Sequence, residues 1–312
     1  MKKSFDLVVP IYNEEPMIPY LIERLDAVFG SHKMDCRVIF VDDGSVDRSF
    51  SILCDAAPLN FKVIILRLTR NFGHQIAVTA GLNKAEADFV GIMDADLQDP
   101  PECLFPMLEL LADGACDVVY GQRLSRSGES WFKRVSAHLF YRFIKWISPV
   151  DMPSDVGDFR VFTRRVLVSI NGVRERSRFL RGMFAWLGYR ALSFKYHRDP
   201  RWAGETKYSL AKMIRLSCSA AVAMSDNPMK YVINLGFITL GIVILFSLYM
   251  LVTKLFFNAV VPGLTSILLV IGLTASVQII TLGVIGSYVV KTFDEAKARP
   301  LYIIDEEVSI SN

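Results

Sequence analysis

The sequence predicts an α/β fold in which a mostly parallel β-sheet carries helices on both faces and is followed by two membrane-spanning helices. Two observations support this prediction. Residues 1–120 alternate between short runs rich in β-branched residues and segments whose apolar residues recur at helical spacing, and such alternation is typical of parallel sheets. Residues 231–290 contain one charged side chain, Lys254, and long uncharged apolar segments are typical of membrane helices.

Five runs within the first 120 residues predict the strands of this sheet: 6–10, 37–41, 63–67, 89–93 and 118–120. Between the first two runs, apolar residues recur at helical spacing over 18–29 and predict a helix. Ser45 is placed to cap a second helix that includes residues 50–53. Because open sheets of this kind bind ligands at the carboxyl ends of their strands, the polar residues directly after these runs are candidate site residues.

Two apolar runs, 231–253 and 264–290, each exceed the roughly 20 residues that a helix needs to cross a bilayer. Pro262 and Gly263 supply the break between them. Lysines and arginines flank the outer ends of the pair, so the positive-inside rule places both ends in the cytoplasm. The alternative is a helical hairpin buried in a soluble core, but buried helices are seldom so long and so free of charge.

Charge is unevenly distributed along the chain. Residues 1–120 carry 10 basic and 19 acidic side chains, whereas residues 121–215 carry 20 basic and 7 acidic ones. The basic block indicates an anionic partner or an anionic surface. A nucleic-acid partner is not expected, because membrane helices follow this block directly.

Within the basic block, residues 131–147 combine an apolar face, tryptophans and several basic side chains. This pattern fits either a helix that lies in the membrane interface or an ordinary helix packed on the domain. Residues 208–226 are a second candidate interfacial helix, leading into the membrane.

A cluster of acidic residues directly follows the fourth predicted strand, with Asp94 and Asp96 two residues apart and Gln98 close behind. Two carboxylates at this spacing can converge on one hard cation, and oxygen ligands suit Mg²⁺ or Mn²⁺. Substrate phosphates commonly complete the ligand shell of a bound Mg²⁺. The alternative is a solvated acidic turn, but the position at the end of a buried strand favours a site.

Polar residues also follow the first and second predicted strands: Pro10, Tyr12 and Glu14 after the first, and Asp42 and Asp43 after the second. Carboxylates in such turns can accept hydrogen bonds from a base or from ribose hydroxyls, and an aromatic ring can flank a base. An Asx turn is the alternative explanation for the second group, and the two are compatible. Three neighbouring strand ends therefore offer polar groups that one nucleotide could span.

Together these segments resemble glycosyltransferase family 2, which has a GT-A-type fold. The resemblance rests on VVPIYNEE at 8–15, VDDGS at 41–45, RNFGHQIAVTAG at 70–81, DADLQDPP at 94–101, GDFRVF at 157–162 and RWAGETKYS at 201–209. With the two apolar runs, the combination is similar to the polyprenyl-phosphate glycosyltransferases. These include the dolichol-phosphate mannose synthases and, more closely, the bactoprenol glucosyltransferases. The resemblance spans about residues 5–300.

The resemblance implies a role for each motif. Asp94, Asp96 and Gln98 would hold the metal and the diphosphate of the donor. Asp158 would lie near the attacking acceptor, either as a general base or as a group that orients the acceptor, and with Asp94 and Asp96 it forms the expected catalytic set. A salt bridge from Asp158 to Arg160 is the structural alternative. The residues expected to bind the nucleotide sugar are Pro10, Tyr12, Glu14, Asp42, Asp43, Arg70 and His74.

The resemblance also implies a polyprenyl phosphate as the acceptor. Arginine can bind phosphate oxygens bidentately, and lysine acts as a point charge. The expected ligands of the lipid phosphate are Arg123, Arg126, Arg134, Arg201 and Lys207. Non-specific attraction to anionic headgroups is the alternative role for most of the basic residues.

The expected reaction is the inverting transfer of a hexose, with glucose from UDP-glucose favoured, to undecaprenyl or another polyprenyl phosphate. The product would serve the modification of O-antigen or other cell-envelope glycans. Transfer of N-acetylglucosamine, mannose or an aminoarabinose-type sugar stays open, and a processive polysaccharide synthase is a weaker alternative.

The resemblance and the hydropathy pattern together predict the organisation of the chain. A cytoplasmic GT-A domain is expected at 1–228, a two-helix membrane hairpin at 229–292 and a cytoplasmic tail at 293–312. The protein is thus expected to be a multi-pass protein of the bacterial inner membrane. It is also expected to form a homo-oligomer, because relatives are oligomeric and some are tetramers.

Overall fold

The computed structural model describes residues 3–56, 59–124, 156–176, 178–197, 227–257 and 263–310. In this part of the chain, one unit holds a β-sheet with its flanking helices and a second unit holds two long helices. The predicted interfacial helices at 131–147 and 208–226 lie outside the described residues. So do four of the predicted ligands of the lipid phosphate: Arg126, Arg134, Arg201 and Lys207.

All five predicted strands and the helix predicted over 18–29 are present. The described strands are β1 Ser4–Ile11, β2 Asp35–Asp42, β3 Lys62–Leu68, β4 Phe89–Ile92, β5 Val118–Arg123, β6 Val156–Thr163, β7 Ala191–Tyr196 and β8 Ile304–Ile310. The helices of the same unit are α1 Ile18–Gly30, α2 Ser49–Cys54, α3 His74–Lys84, α4 Leu104–Ala112, α5 Arg164–Gly172 and α6 Leu180–Trp186. A single 3-10 turn, Pro101–Cys103, precedes α4.

The strands form one sheet in the order β7-β5-β6-β4-β1-β2-β3-β8. The central strands β4, β1, β2 and β3 are parallel, whereas β6 runs antiparallel to both β4 and β5. The sheet is therefore mixed around a parallel centre, as in a GT-A-like fold. The carboxyl ends of β1, β2 and β4 meet at one edge, and that edge carries the candidate site.

Apolar layers cover both faces of the sheet. Phe5, Leu7 and Val9 of β1 belong to the layer that includes α1 and α4, whereas Val8 belongs to the layer that includes α3 and α5. Successive residues of a strand point to opposite faces, so a strand buried on both sides becomes a continuous apolar run. This is why β1 and β2 were easy to identify from the sequence.

The two long helices are α7 Asn227–Phe257 and α8 Gly263–Ala296, and they pack against each other. Among the described residues, Val270–Ala296 is the one stretch long and apolar enough to cross a membrane, and Asn234–Phe246 is a shorter apolar helix. The prediction of two spanning helices is thus supported for one of them. Large apolar side chains are exposed along both helices, among them Phe237, Leu245, Ile279 and Leu282.

Strand β8 differs from the expectation that residues 293–312 form only a tail. It pairs antiparallel with β3, from Val63 opposite Ile310 to Leu68 opposite Ile304. The Lys84 Nζ lies 2.7 Å from the Glu307 Oε1 and ties the strand to the end of α3. The chain therefore returns to the sheet after the two long helices.

The predicted Ser45 cap is wrong. Helix α2 begins at Ser49, after Arg48, and has no side-chain cap at its N-terminus. The Ser45 N–H instead donates to the Asp42 Oδ1 at 3.1 Å, a side-chain hydrogen bond across three residues that closes the turn after β2. The Ser45 Oγ accepts a hydrogen bond from the Asn13 N–H, so this side chain joins the loop after β2 to the loop after β1.

Candidate active site

The loops after β1 and β2 are held together by reciprocal hydrogen bonds. The Asn13 N–H donates to the Ser45 Oγ at 3.0 Å, and the Asn13 Oδ1 accepts from the Val46 N–H at 2.9 Å. The Glu14 N–H donates to the Ser49 Oγ at 2.9 Å. Asn13 adopts φ +53°, a left-handed conformation that asparagine tolerates. These bonds give the end of β1 a fixed shape.

Three residues predicted to bind the nucleotide sugar lie at this end of β1. Pro10 is buried in the strand opposite Val41 of β2. Tyr12 is 41% exposed, and Glu14 is partly exposed. The exposed ring of Tyr12 is suited to stacking on a base, whereas Pro10 is buried and fixes the backbone at the end of β1.

Asp42 and Asp43 are buried, at 0% and 2% exposure. The two carboxylate oxygens of Asp43 accept hydrogen bonds from the Phe72 and Gly73 N–H groups at 2.7 and 2.8 Å. Burial raises the pKa of both carboxyl groups. Asp43 thus fixes the backbone that leads into α3, whereas Asp42 accepts from the Ser45 N–H. Contact of either carboxylate with a nucleoside stays a prediction.

Gly44 lets the loop after β2 approach the segment before α3. It adopts φ +67°, and a Cβ there would lie 2.5 Å from the Arg70 carbonyl carbon and 2.8 Å from the Asn71 nitrogen. Glycine alone combines this conformation with so close a contact. The exposed Arg70 guanidinium stacks 4.0 Å from the centroid of the Phe72 ring, so this predicted nucleotide-sugar ligand is anchored beside the loop.

His74, Asp94 and Asp158 form the centre of the candidate site. His74 begins α3, Asp94 follows β4 and Asp158 lies in β6. The His74 Nε2 is 3.2 Å from the Asp158 Oδ2 and 3.6 Å from the Asp94 Oδ1. One ligand atom from each residue lies within 4.8 Å of the others. Residues that are distant in the chain thus meet at a spacing suited to a metal ion.

The charges of this cluster shift its pKa values. Burial lowers the pKa of His74, but the hydrogen bond to Asp158 and the charges of Asp94 and Asp158 outweigh it, so the net shift is upward. Burial raises the pKa of Asp94 to about 6. The His74 charge opposes this rise, and three carboxylates add to it: Asp158, Asp99 and Asp96. The positive charge near Asp94 is therefore too small to offset the burial of its carboxylate.

Asp96 and Gln98 lie in the turn that follows Asp94, and both are partly exposed. The Gln98 N–H donates to the Asp96 Oδ1 at 3.2 Å. Leu97 between them adopts φ +53°. The cluster described above contains His74 and Asp158 rather than this pair, although His74 was predicted to bind the nucleotide sugar and not the metal.

The acidic residues after β4 fit Mg²⁺ or Mn²⁺. The Asp94 Oδ1 is buried and has no hydrogen-bond partner among the described residues, which is costly unless a cation binds it. Asp96 and Gln98 add oxygen donors of the kind that both ions prefer. Asp158 fits a metal less well, because its oxygens already accept hydrogen bonds.

Asp158 is held by three side chains. The Arg181 Nε and Nη2 donate to its two oxygens at 2.8 and 3.0 Å. The His74 Nε2 and the Gln75 Nε2 lie 3.2 and 3.4 Å from its Oδ2. Burial alone would raise the pKa of Asp158, but the hydrogen bonds from His74 and Arg181 hold it well below the usual range. Asp158 is therefore an anion of low basicity.

The salt bridge from Asp158 to Arg160, the structural alternative for Asp158, is present but long, and Arg181 is the closer partner. The Arg160 Nη2 is 3.9 Å from the Asp158 Oδ1, and the guanidinium donates instead to the carbonyls of Asp158 and Gly157. Burial lowers the pKa of Arg160 to about 10. The closer partner, Arg181, was not predicted from the sequence, because no motif marks this residue and its only signal is its place in the basic block.

Arg123, a predicted ligand of the lipid phosphate, lies at the end of β5 with buried partners. Its Nη2 is 3.6 Å from the Asp99 Oδ1, and its Nε donates to the Tyr196 Oη at 3.5 Å. The Tyr196 hydroxyl in turn donates to Asp99. A Cβ at Gly157 would lie 2.9 Å from the Arg123 Nη2, so the glycine beside Asp158 makes room for this guanidinium.

Sequence comparison identifies the family of this chain. Residues 6–170 match the sequence model of the family described as Glycosyl transferase family 2. The chain also resembles solved structures at low sequence identity. The mannosyltransferase PcManGT of Pyrobaculum calidifontis, for example, is 22% identical with a TM-score of 0.42, over 62% of this chain and 55% of that one. Such a likeness carries no detail of the site.

Curated relatives match over nearly the whole chain. The uncharacterized glycosyltransferase YkcC of Bacillus subtilis is 39% identical over 309 residues, which are 99% of this chain and 95% of the relative. The bactoprenol glucosyl transferase of Shigella phage SfV is 34% identical over 97% of this chain and 99% of the relative. The prophage bactoprenol glucosyl transferase homolog of Escherichia coli K12 is 33% identical over 96% and 98%. The chain is a glycosyltransferase and belongs to glycosyltransferase family 2.

Proposed function

We propose that this glycosyltransferase transfers a hexose, with glucose from UDP-glucose as the favoured donor, to a polyprenyl phosphate such as undecaprenyl phosphate. The glycolipid would serve the modification of O-antigen or other envelope glycans. The observation that carries this proposal is the length of the likeness to proteins named bactoprenol glucosyl transferase. At 34% identity it extends over 97% of the chain, so it includes the long helices as well as the sheet.

The site supports direct displacement by the acceptor. A phosphate monoester is an anion near neutral pH and needs little help from a base, which agrees with the low basicity of Asp158. A single in-line attack on the anomeric carbon inverts its configuration. A divalent metal ion bound by Asp94, Asp96 and Gln98 would neutralise the donor diphosphate and make the nucleoside diphosphate a better leaving group.

Other residues of the chain would bind and orient the donor. The exposed ring of Tyr12 offers a stacking surface for the base, with Glu14 beside it. Asp43 holds the segment between Arg70 and His74 through the Phe72 and Gly73 N–H groups, and Asp42 holds the loop after β2 through the Ser45 N–H. Both residues would thereby shape the nucleotide pocket. The buried carboxylates act through the backbone that they fix, and direct contact of either with the nucleoside stays part of the proposal.

The topology of the chain supports two membrane crossings. Strands β3 and β8 belong to one sheet, so the chain between them must cross a membrane an even number of times. If α8 crosses through Val270–Ala296, a second crossing is required. Helix α7 has 31 residues, which is about 45 Å at 1.5 Å per residue and exceeds the roughly 30 Å hydrocarbon core.

We therefore propose a multi-pass protein of the bacterial inner membrane whose sheet-bearing unit is cytoplasmic. We also propose a homo-oligomer, with a tetramer as one form. Among the described residues, nothing lies within 4 Å of a Cβ built at any of five helix glycines, which leaves room for a neighbouring helix. They are Gly236, Gly241, Gly272, Gly283 and Gly286. Crosslinking in mild detergent that yields only monomers would contradict the oligomer.

The reaction is tested with membranes from cells that express the chain. They are incubated with undecaprenyl phosphate and a panel of UDP- and GDP-sugars, and the glycolipid is identified by mass. A hexosyl lipid formed from UDP-glucose is the expected result. A different sugar on the same lipid would correct the donor, a ladder of sugar units would favour the processive synthase, and no glycolipid with any donor would contradict the proposal.

A further inference from the structure

Three structural elements meet at Asp158. Asp158 lies in β6, His74 and Gln75 begin α3, and Arg181 lies in the first turn of α6. The Gln75 Oε1 accepts a hydrogen bond from the Leu180 N–H at 2.9 Å, while its Nε2 faces Asp158. Gln75 thus docks the start of α6 onto the start of α3, and the Arg181 side chain is brought into the candidate site from a helix that no sequence motif marked.

The bonds to Asp158 leave it little capacity to accept a proton from a substrate. Four N–H groups face its two oxygens: Arg181 Nε and Nη2, His74 Nε2 and Gln75 Nε2. Three of these donors converge on Oδ2 and the Arg181 Nε reaches Oδ1, so most of the roughly four lone-pair directions of the carboxylate are occupied. This arrangement is typical of a carboxylate that positions its neighbours.

The same contacts fix the Arg181 guanidinium and leave it accessible. Its Nε and Nη2 are held side-on by Asp158, yet its side chain is 42% exposed, against 7% for Asp158. Arg160 lies on the buried side and is 4% exposed. Asp158 therefore stands between two guanidinium groups and the His74 imidazole, and Arg181 is the more exposed of the two guanidinium groups.

We propose that Arg181 binds a phosphate group of a substrate, and that Asp158 and Gln75 are positioning residues that hold its guanidinium. The inference rests on the proposed function, in which both substrates carry phosphate: the donor as a diphosphate and the acceptor as a monoester. A guanidinium pre-oriented by a carboxylate suits either group, because arginine presents paired N–H donors to phosphate oxygens.

The test uses the full-length protein in detergent and the Arg181→Gln, Arg181→Lys and Asp158→Asn variants. Arg190→Gln is the matched control, because the Arg190 Nε lies 3.1 Å from the Asp117 Oδ2 in a comparable pair just before β5, at the opposite end of that strand from Arg123. The KM values for UDP-glucose and for undecaprenyl phosphate, kcat and the melting temperature are measured for each. If Arg181→Gln does not fold, Arg181→Lys carries the test.

Arg181→Gln is expected to raise one KM by about 10- to 100-fold, the effect of losing a charged hydrogen bond, and Arg181→Lys less. A higher KM for UDP-glucose identifies the donor diphosphate, and a higher KM for undecaprenyl phosphate identifies the acceptor. Asp158→Asn is expected to raise the same KM. The double variant Asp158→Asn with Arg181→Gln should have a KM no higher than that of the more damaging single variant, because the two residues act together. Arg190→Gln should leave both KM values unchanged.

Two results would overturn this inference. One is an Arg181→Gln enzyme with both KM values unchanged. The other is an Asp158→Asn enzyme that loses only kcat together with the acidic limb of the pH profile, as expected of a general base. If the wild-type protein forms no glycolipid, the proposed function fails by itself. Titrations of UDP and of undecaprenyl phosphate then decide the role of Arg181, since about 10-fold weaker binding of either ligand to Arg181→Gln supports the role and unchanged binding of both refutes it.

Discussion

Replacing Gly44 with alanine should damage the site through the backbone of a neighbouring segment. Gly44 adopts φ +67°, and an added Cβ would lie 2.5 Å from the Arg70 carbonyl carbon. Backbone atoms cannot rotate away as a flexible side chain can, so the loop after β2 or the segment before α3 must move. Because Asp43 holds the Gly73 N–H, such a movement would reach His74.

Gly114 provides a matched control for the size of this effect. It adopts φ +71°, but a Cβ there would meet nothing within 4 Å among the described residues. Gly114→Ala should therefore lower the free energy of unfolding only by the penalty of placing alanine in the left-handed conformation, about 1–2 kcal/mol. Gly44→Ala should lower the free energy of unfolding by the same penalty and by about 1–3 kcal/mol more, because its Cβ also overpacks the backbone of Arg70.

The comparison is made by thermal unfolding of both variants and by their KM for the donor. Gly44→Ala should melt clearly below Gly114→Ala and should raise the KM for UDP-glucose, whereas Gly114→Ala should leave that KM unchanged. Equal melting temperatures with an unchanged KM would refute the argument that the close approach of the two loops shapes the nucleotide pocket.

Three further predictions concern the metal, the sheet and a cysteine. Asp94→Asn should weaken Mn²⁺ binding by about 100-fold or more. A variant that binds Mn²⁺ with wild-type affinity in a titration would show that Asp94 is not a metal ligand. Asp6 accepts hydrogen bonds from Arg37, Glu86 and Ala87. Asp6→Ala should therefore lower the free energy of unfolding by about 3–5 kcal/mol. A loss under about 1 kcal/mol in a denaturant titration would contradict this prediction. Burial, with the charges of Asp35 and Asp6, raises the pKa of Cys36 to about 12. The thiol therefore stays protonated at pH 8, and iodoacetamide should label it only after unfolding.

The centre of the sheet could be predicted from the sequence because its signals are local. Strands β1 and β2 are buried on both faces and form continuous apolar runs, and the polar residues after them coincide with the ends of parallel strands. The cluster after β4 was predicted for the same reason, since Asp94 comes directly after the strand that positions it.

The contacts that depend on distant pairing could not be predicted. His74 and Asp158 are 84 residues apart, and no local pattern links them. Arg181 lies in a seven-residue helix whose position depends on Gln75 of α3. Strand β8 contains three consecutive acidic residues, Asp305, Glu306 and Glu307, which no local pattern identifies as a strand, and it forms by pairing with the edge of β3. Ser45 was misjudged because its best partner, the Asn13 N–H, lies on another loop.

The anomeric configuration of the glycolipid tests the central claim most directly. UDP-glucose carries its glucose in the α configuration, and the purified protein is given this donor with undecaprenyl phosphate and Mn²⁺. Nuclear magnetic resonance of the lipid product should show a β-linked glucosyl phosphate, as direct displacement by the lipid phosphate requires. An α-linked product, or transfer of glucose only to water, would contradict the account.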